Sequence, residues 1–481
     1  MAELVSTRGL ADEPVNYVDA LLQGRAPDGG LYVAEEFPHV GLDELQTLAG
    51  LPYEDVFNFV KGRLIGDDIP YSEQARITAE AYAPEKFPEA LNGNLVPVTQ
   101  IGDNLYAQNL SLGPTGAFKD LALQPLALDM EYALEEADEY LDAVGVSSGD
   151  TATAAERAFK GLRRMALFMM SPEVGMSGFQ KAHMGEQTGG NIHNLSIKVP
   201  FDTMNDLLDQ LKSQPEFANI AAVNSINWGR VVGQIPYYFA GYLQVVGKNI
   251  GQEIDVIVPS GNMGNALAAH YARRMGLPLR EVVFANNENN ALHNLVQSGI
   301  YVARKSEITS SPSMDICKPK NYERLLFEMM EGDGAKVADY MQFFARTGQV
   351  ALSDYGLSPT AIKDAGFDSG TSNHADRIES IRWVHASSGD VIDPHTADAV
   401  TVARRRKLER PALCMLTALD VKSEPTVEEA LGFVSERPDQ FKEVGLGSQD
   451  DGFVSMPYNL EAVAAYIRQH RIAKQPVPAA K

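Results

Sequence analysis

Cysteine is almost missing from this chain: Cys317 and Cys414 are the only two in 481 residues. Two thiols build no disulfide framework and match no zinc-ligand spacing, which fits a reducing cytoplasm. Positive charge is also short. The chain has 41 lysines and arginines against 64 acids, a formal net charge of −23. A basic footprint for nucleic acid or anionic membrane is therefore absent, and neither partner is expected. Any anionic ligand needs a local cradle, because the overall field repels it. Long apolar runs are lacking too. The richest window, VVGQIPYYFAGYLQVVG, is broken by Gln234, Pro236 and Gln244. It reads as a buried helix, since a membrane span needs about 20 nearly uninterrupted apolar residues. The opening MAELVSTRGLADEP has no basic stretch followed by an apolar one, so no secretory signal is expected. His374, His385 and His395 sit at no metal-ligand spacing, and no G-x-S-x-G elbow is found. Neither a metal site nor a serine hydrolase is expected.

What remains is the profile of a soluble globular protein, 44% hydrophobic and 22% charged, long enough for two or three domains. Residues 1–93 read as mainly helical, with apolar positions at helical spacing in YVDALLQG and YEDVFNFVKGRL. APDGGLYV between them reads as a turn and a short strand. LVPVTQIGDNLYAQNL predicts two short strands, and KDLALQPLALDMEYALEEA a helix interrupted or bent near Pro125. Two later segments share one layout of strand, polar glycine turn, helix and strand: LDAVGV-SSGDTAT-AAERAFKGL-RRMALFMMS and EIDVIVPS-GNMGN-ALAAHYARRMGLP-LREVVFAN. Alternation of this kind predicts βαβ units and a parallel sheet, with ligand sites at the carboxyl ends of the strands. Residues of about 310–380 read as helices packed on the sheet, RPALCMLTALDV as a strand and turn, and RIAKQPVPAAK as a frayed tail. The expected organisation is a helical region over 1–93, an α/β domain over 94–215 and a larger α/β domain over 216–481.

Three turns carry chemistry. In PSGNMGNALAAH, residues Ser260-Gly261-Asn262-Met263-Gly264-Asn265 lead from a strand into a helix, so backbone amides and the helix dipole converge where a phosphate could sit. The plain alternative is a tight turn that binds nothing. It is not the G-x-G-x-x-G pattern of a dinucleotide site. In SSGDTAT, residues Ser147, Ser148, Gly149, Asp150 and Thr151 offer hydroxyl, carboxylate and amide groups at a helix start. Taken alone that is ordinary capping; beside a second anion-ready turn it becomes a cradle for a substrate carboxylate. In GPTGAFKD, Phe118 and Asp120 flank Lys119 where a phosphate-binding P-loop needs Gly and Ser or Thr, so a P-loop reading fails. A lysine near a phosphate cradle, its amine freed by desolvation, suits a Schiff base with a carbonyl cofactor. A solvated surface lysine is the alternative.

Lysine, SGD turn and GNxG turn, in this order, resemble the threonine synthases, pyridoxal-phosphate enzymes of the tryptophan-synthase β-like fold (fold type II). STRG, PDGGLYV, GPTGAFKD, SGDT, VNSINWGR, PSGNMGNALAAH, NEN, SSPSMDI, NYERL, HADRI and DPHTADAV match the family in sequence order. The resemblance implies an α/β fold of parallel-sheet domains and a cofactor, pyridoxal 5′-phosphate, joined to Lys119. Ser260, Gly261, Asn262, Met263, Gly264 and Asn265 would hold its phosphate, and Thr417 would face its pyridine nitrogen. Ser147, Ser148, Gly149, Asp150 and Thr151 would receive the substrate carboxylate. Lys181, Lys320 and Arg324 lie in matching segments as candidates for the substrate phosphate. The implied activity is that of a carbon–oxygen lyase acting on phosphates. It would convert O-phospho-L-homoserine and water to L-threonine and phosphate in the cytoplasm, as a monomer or homodimer. The alternative is a paralogue acting on another γ-substituted amino acid. Leu112, Gly116, Ala152, Gly175, Met263 and Asp420 depart from the family, which usually has Asn or His, a bulky apolar residue, Gly, Lys or Arg, Phe, and Pro at those places. Altered substrate choice, resistance to an inhibitor and neutral drift each fit that pattern.

Overall fold

In a computed structural model the chain is described over residues 3–9, 13–90, 93–147, 149–173, 176, 178–199, 201–217, 220–222, 225–445 and 452–472. Two sheets organise it. The larger has six strands in the order Phe367–Thr371, Leu279–Asn286, Ile254–Pro259, Ala412–Leu416, Leu105–Asn109, Val98–Gly102. All neighbours are parallel except the last pair. The smaller is wholly parallel, in the order Phe453–Met456, Ile192–Ile197, Met165–Pro172, Leu141–Val146, Ala221–Ala222. Strands buried on both faces explain why Ile254–Pro259 and Met165–Pro172 read as apolar runs with no alternation.

The N-terminal region is helical, as its periodicity predicts, with helices Tyr17–Gln23, Leu42–Leu48, Tyr53–Ile65 and Tyr71–Ala81. An antiparallel pairing joins Leu4–Ser6 to Tyr32–Ala34. Both strand–turn–helix–strand units appear: Leu141–Val146, Asp150–Phe159 and Met165–Pro172, then Ile254–Pro259, Gly264–Arg274 and Leu279–Asn286. The apolar window folds into two buried helices, Trp228–Val232 and Ile235–Val246. No helix among the described residues is long and apolar enough to cross a membrane.

Several expectations need correction. Of the interruption or bend expected near Pro125, the interruption is absent: the helix Asp120–Ala137 runs through Pro125. Proline removes one amide donor and strands the carbonyl four residues back, that of Leu121. Here the Tyr82 hydroxyl donates to that carbonyl at 2.7 Å, so the helix continues. Within 310–380, Phe367–Thr371 is an edge strand of the large sheet, not a helix. Its FDSGT carries one large apolar residue, and its side chains give almost no strand signal. Gly370 is required because a Cβ there would come within 2.7 Å of Val402. The sheets also cut across the expected boundary at 215/216. Val98–Gly102 and Leu105–Asn109 belong to the large sheet, and Phe453–Met456 returns to the small one. Arg471 and Ile472, expected to fray, are held by Asp142 at 2.9 and 3.0 Å; the rest of that tail lies outside the described residues.

Candidate active site

Lys119 stands at the start of a helix whose preceding loop is laced to the end of a central strand. The Phe118 amide donates to the Thr417 carbonyl at 2.9 Å, and the Leu419 amide to Gly116 at 2.9 Å. Ala117 and Ala418 form the antiparallel bridge between them. Asp120 folds the loop back on itself. Its carboxylate accepts from the Thr115 amide at 2.9 Å and the Thr115 hydroxyl at 2.8 Å. Burial pushes the Asp120 carboxyl up to about 6 against those bonds. Gly116 has φ 66°, and a Cβ there would press on Leu419 at 3.0 Å and Phe441 at 3.3 Å. Leu419 and Phe441 thus fill the space that a bulky residue at position 116 would take.

The lysine meets the small sheet at Asp150. Lys119 Nζ lies 3.4 Å from Asp150 Oδ2, to which the Ser313 hydroxyl donates at 3.1 Å. Lys422 Nζ lies 2.8 Å from Oδ1, to which Gln180 donates at 3.3 Å. Desolvation raises the Asp150 pKa, but Lys422 and then Lys119 outweigh it and hold the carboxyl well below its usual range. Desolvation likewise draws Lys119 below the ordinary lysine value; Asp150 opposes this, and Lys422 and Arg230 add to it. Ser147 caps the helix: its hydroxyl accepts from the Gly149 and Ala152 amides at 3.2 and 3.1 Å. Gly149 has φ 148°, and a Cβ there would come within 2.6 Å of Gln180; no other residue fits. Thr151 is half-buried one residue into the helix, and Ala152 is buried behind it. Ser148 and Gly175 lie outside the described residues.

The second turn is bare of charge. The helix Gly264–Arg274 has no acid in its first turn and arginines in its last, the polarity that favours an anion at its start. Met263 sits in the left-handed region at φ 66° and is buried. Gly261 allows the close approach of the 313–316 segment: a Cβ there would come within 2.9 Å of the Ser313 carbonyl. The Asn262 carbonyl is fixed by the Asn321 side-chain amide at 3.0 Å. The Asn265 side-chain oxygen, Oδ1, accepts from Tyr237 at 2.6 Å and from Tyr238, while its buried Nδ2 has no partner among the described residues. An orphaned donor at a helix start, beside amides with no competing carboxylate, fits a phosphate. The Thr417 side chain is 6% exposed, and its hydroxyl bonds to nothing among the described residues. The residues present therefore fit pyridoxal phosphate.

Of the basic candidates, the structure sets one at the rim of this crevice and buries another away from it. The Lys320 amide donates to Asn262 Oδ1 at 3.4 Å, setting the residue at the rim of the cradle. Lys181 lies on helix Gly178–Gly185, its ammonium 5.9 Å from the Phe453 ring centre. Arg324 is a correction. It is fully buried and donates to the Tyr32 carbonyl at 2.7 Å, the Ile226 carbonyl at 2.6 Å and Asn321 Oδ1. Its guanidinium ties the N-terminal strand to the cradle and has no face left for a substrate. Glu323 does similar work for STRG, accepting from Thr7 at 2.8 Å and Arg8 at 2.9 Å.

Sequence reasoning passed over Lys422, Ser313 and Gln180, and weighed His395 only as a metal ligand. His395 Nδ1 donates to Asp393 at 2.6 Å, and its Nε2 accepts from the Ser313 amide at 3.1 Å. The one signal was in DPHTADAV, an unusually polar helix start that the structure buries entirely. Among the described residues no group of acids, cysteines and histidines could hold a metal ion.

Comparison with known proteins closes the case for the family. The family model for the threonine synthase N terminus matches residues 3–82, and that for pyridoxal-phosphate dependent enzymes residues 94–356. The chain is 39% identical to threonine synthase of Methylobacillus glycogenes, covering 97% of this chain and 99% of that protein. It is 37% identical to that of Corynebacterium glutamicum, over 97% and 98%. The crystal structure of pyridoxal-phosphate-bound threonine synthase from Brucella melitensis superposes with a TM-score of 0.90 at 34% identity, covering 98% of this chain and all of that one. With its fold, its lysine and its two turns in place, the chain belongs to the threonine synthase family of fold type II pyridoxal-phosphate enzymes.

Proposed function

We propose that this chain converts O-phospho-L-homoserine and water to L-threonine and phosphate by β,γ-replacement. The observation that carries the reading is the meeting of Lys119 with both strand-end turns: Asp150 at 3.4 Å directly, and the Ser260–Asn265 cradle through Ser313. Both cysteines are buried free thiols, which supports a cytoplasmic enzyme, acting as a monomer or homodimer.

Lys119 would carry pyridoxal phosphate as a Schiff base, Ser260–Asn265 would hold its phosphate, and the Thr417 hydroxyl would face its pyridine nitrogen. When bound, the cofactor supplies an electron sink for negative charge at the substrate Cα. The Ser147–Thr151 turn receives the substrate carboxylate on its helix amides. Lys119 Nζ, once the substrate amine has displaced it, takes the proton from Cα, gives it up, and as a free amine again takes one proton from Cβ. The phosphate leaves Cγ towards Lys320 at the rim, with Lys181 a further candidate to receive it. Protons return to Cγ, which becomes the methyl group, and to Cα, both from Lys119, while water adds its hydroxyl at Cβ and its other proton leaves with the phosphate. One amine thus serves as anchor, base and acid, which requires that it exchange its proton readily.

Supplying O-phospho-L-homoserine to the purified holoenzyme tests the reading: threonine and phosphate are expected in equal amounts. Formation of 2-oxobutyrate alone, or turnover only of a different γ-substituted amino acid, would sink it.

A further inference from the structure

Asp150 lies between two ammonium groups, and the two are not equivalent. Lys422 Nζ is 2.8 Å from Asp150 and also donates to the Thr115 carbonyl at 3.0 Å, inside the loop that carries Lys119. Lys119 Nζ is 3.4 Å away and shares its carboxylate oxygen with Ser313. All three side chains are buried. One carboxylate compensates one ammonium, and a second buried positive charge is left without a counterion. The proton to give up is therefore the one on the less tightly held lysine.

We propose that Lys422 is a positioning residue for cofactor attachment: it satisfies the charge of Asp150, so that Lys119 releases its proton and offers a lone pair. The neutral amine then adds to the cofactor's aldehyde carbon, a carbon–nitrogen bond forms, and the aldehyde oxygen leaves as water. No oxidant or further reactant is needed. This role rests on Lys119 being the cofactor lysine. Other charged groups face the trio. Arg230 acts on Lys119, Asp120 on Lys422, and His395 and His183 stand towards Asp150. Among these only Lys422 contacts both Asp150 and the lysine loop.

The test follows uptake of pyridoxal phosphate by the full chain after its removal, read by imine absorbance and borohydride-trapped peptide, from neutral to alkaline pH. In Lys422→Met the pH midpoint of attachment should rise by about one to two units, slowing attachment at neutral pH roughly ten- to a hundredfold. Adding Asp150→Asn removes the unbalanced carboxylate and should bring the midpoint back towards that of the unsubstituted chain. A merely structural lysine would not be rescued in this way. An unmoved midpoint in Lys422→Met, or a double variant no closer to the unsubstituted chain, overturns the role. A second measurement needs no variant. Competitive modification of Lys119 by trinitrobenzenesulfonate in the cofactor-free chain should titrate below an ordinary lysine; an ordinary titration overturns the role as well. Neither readout uses threonine formation, so failure of this role and failure of the proposed reaction remain separate results.

Discussion

Leu141–Val146 hands over to Asp150–Phe159, and Ile254–Pro259 to Gly264–Arg274, through turns of the same kind, yet the two turns end in opposite electrostatics. Each exposes helix amides at the carboxyl end of a parallel strand, and each bends through a positive φ, at Gly149 and at Met263. The first brings its own carboxylate, Asp150, and two lysines from the other sheet answer it. The second contains no acid, and its polar side chains are amides and hydroxyls. A helix start favours negative charge. Where the chain adds a carboxylate of its own, as at Asp150, the turn also organises lysines; where it adds none, the place is kept for a phosphate. One piece of backbone topology thus yields two different instruments, and a single side chain at the first helical turn decides which.

The sharpest way to break the comparison is to remove the group both turns serve. Lys119→Ala should abolish borohydride-trapped cofactor and lower kcat by roughly a thousandfold or more, measured with saturating pyridoxal phosphate. Next is the charged turn. Asp150→Asn leaves Lys422 buried and unpaired, and should lower unfolding stability by about 3–5 kcal/mol in urea titrations while changing affinity for the cofactor's phosphate little. The converse change, Asn265→Asp, places a carboxylate in the neutral turn. It should weaken pyridoxal phosphate binding by about a hundredfold with the fold intact, because like charges placed together cost several kcal/mol. If the two substitutions had the same effect, the turns would not differ as argued.

The last effect, absent at neutral pH and growing only in acid, concerns His183, buried behind the charged turn. Desolvation first, then Lys422, lowers it to about 3 from an ordinary value near 6.5. A neutral buried histidine binds fewer protons than its unfolded counterpart, so stability falls as pH drops below 6.5 and the loss is complete only near 3. The slope from this residue should be about 1.4 kcal/mol per pH unit. His183→Gln should flatten the urea midpoint against pH across that window and leave it unchanged above.

Much of this was legible in the sequence, because strand, turn and helix are local features. Both strand–turn–helix units, the N-terminal helices and Lys119 with its loop follow from periodicity and punctuation within short windows. What escaped depends on partners remote in the chain. Pro125 is harmless only because Tyr82 reaches the Leu121 carbonyl. Phe367–Thr371 is a strand only because Leu279–Asn286 offers it an edge. Lys422 has no local mark of its duty; the crossing of the chain between the two sheets puts it against Asp150. Arg324 looked like a phosphate ligand because arginines often are. Its burial among the Tyr32 and Ile226 carbonyls shows that here it locks segments together.

The lacing of residues 116–118 to 417–419 mounts Lys119 and Thr417 on one rigid strand end, while Asp150 rides on the opposite sheet. Any sliding of one sheet over the other would leave the amine and the hydroxyl in register and alter only their distance to the carboxylate. Ring alignment and proton control are thereby mechanically decoupled, so the crevice could open for substrate without losing its hold on the cofactor.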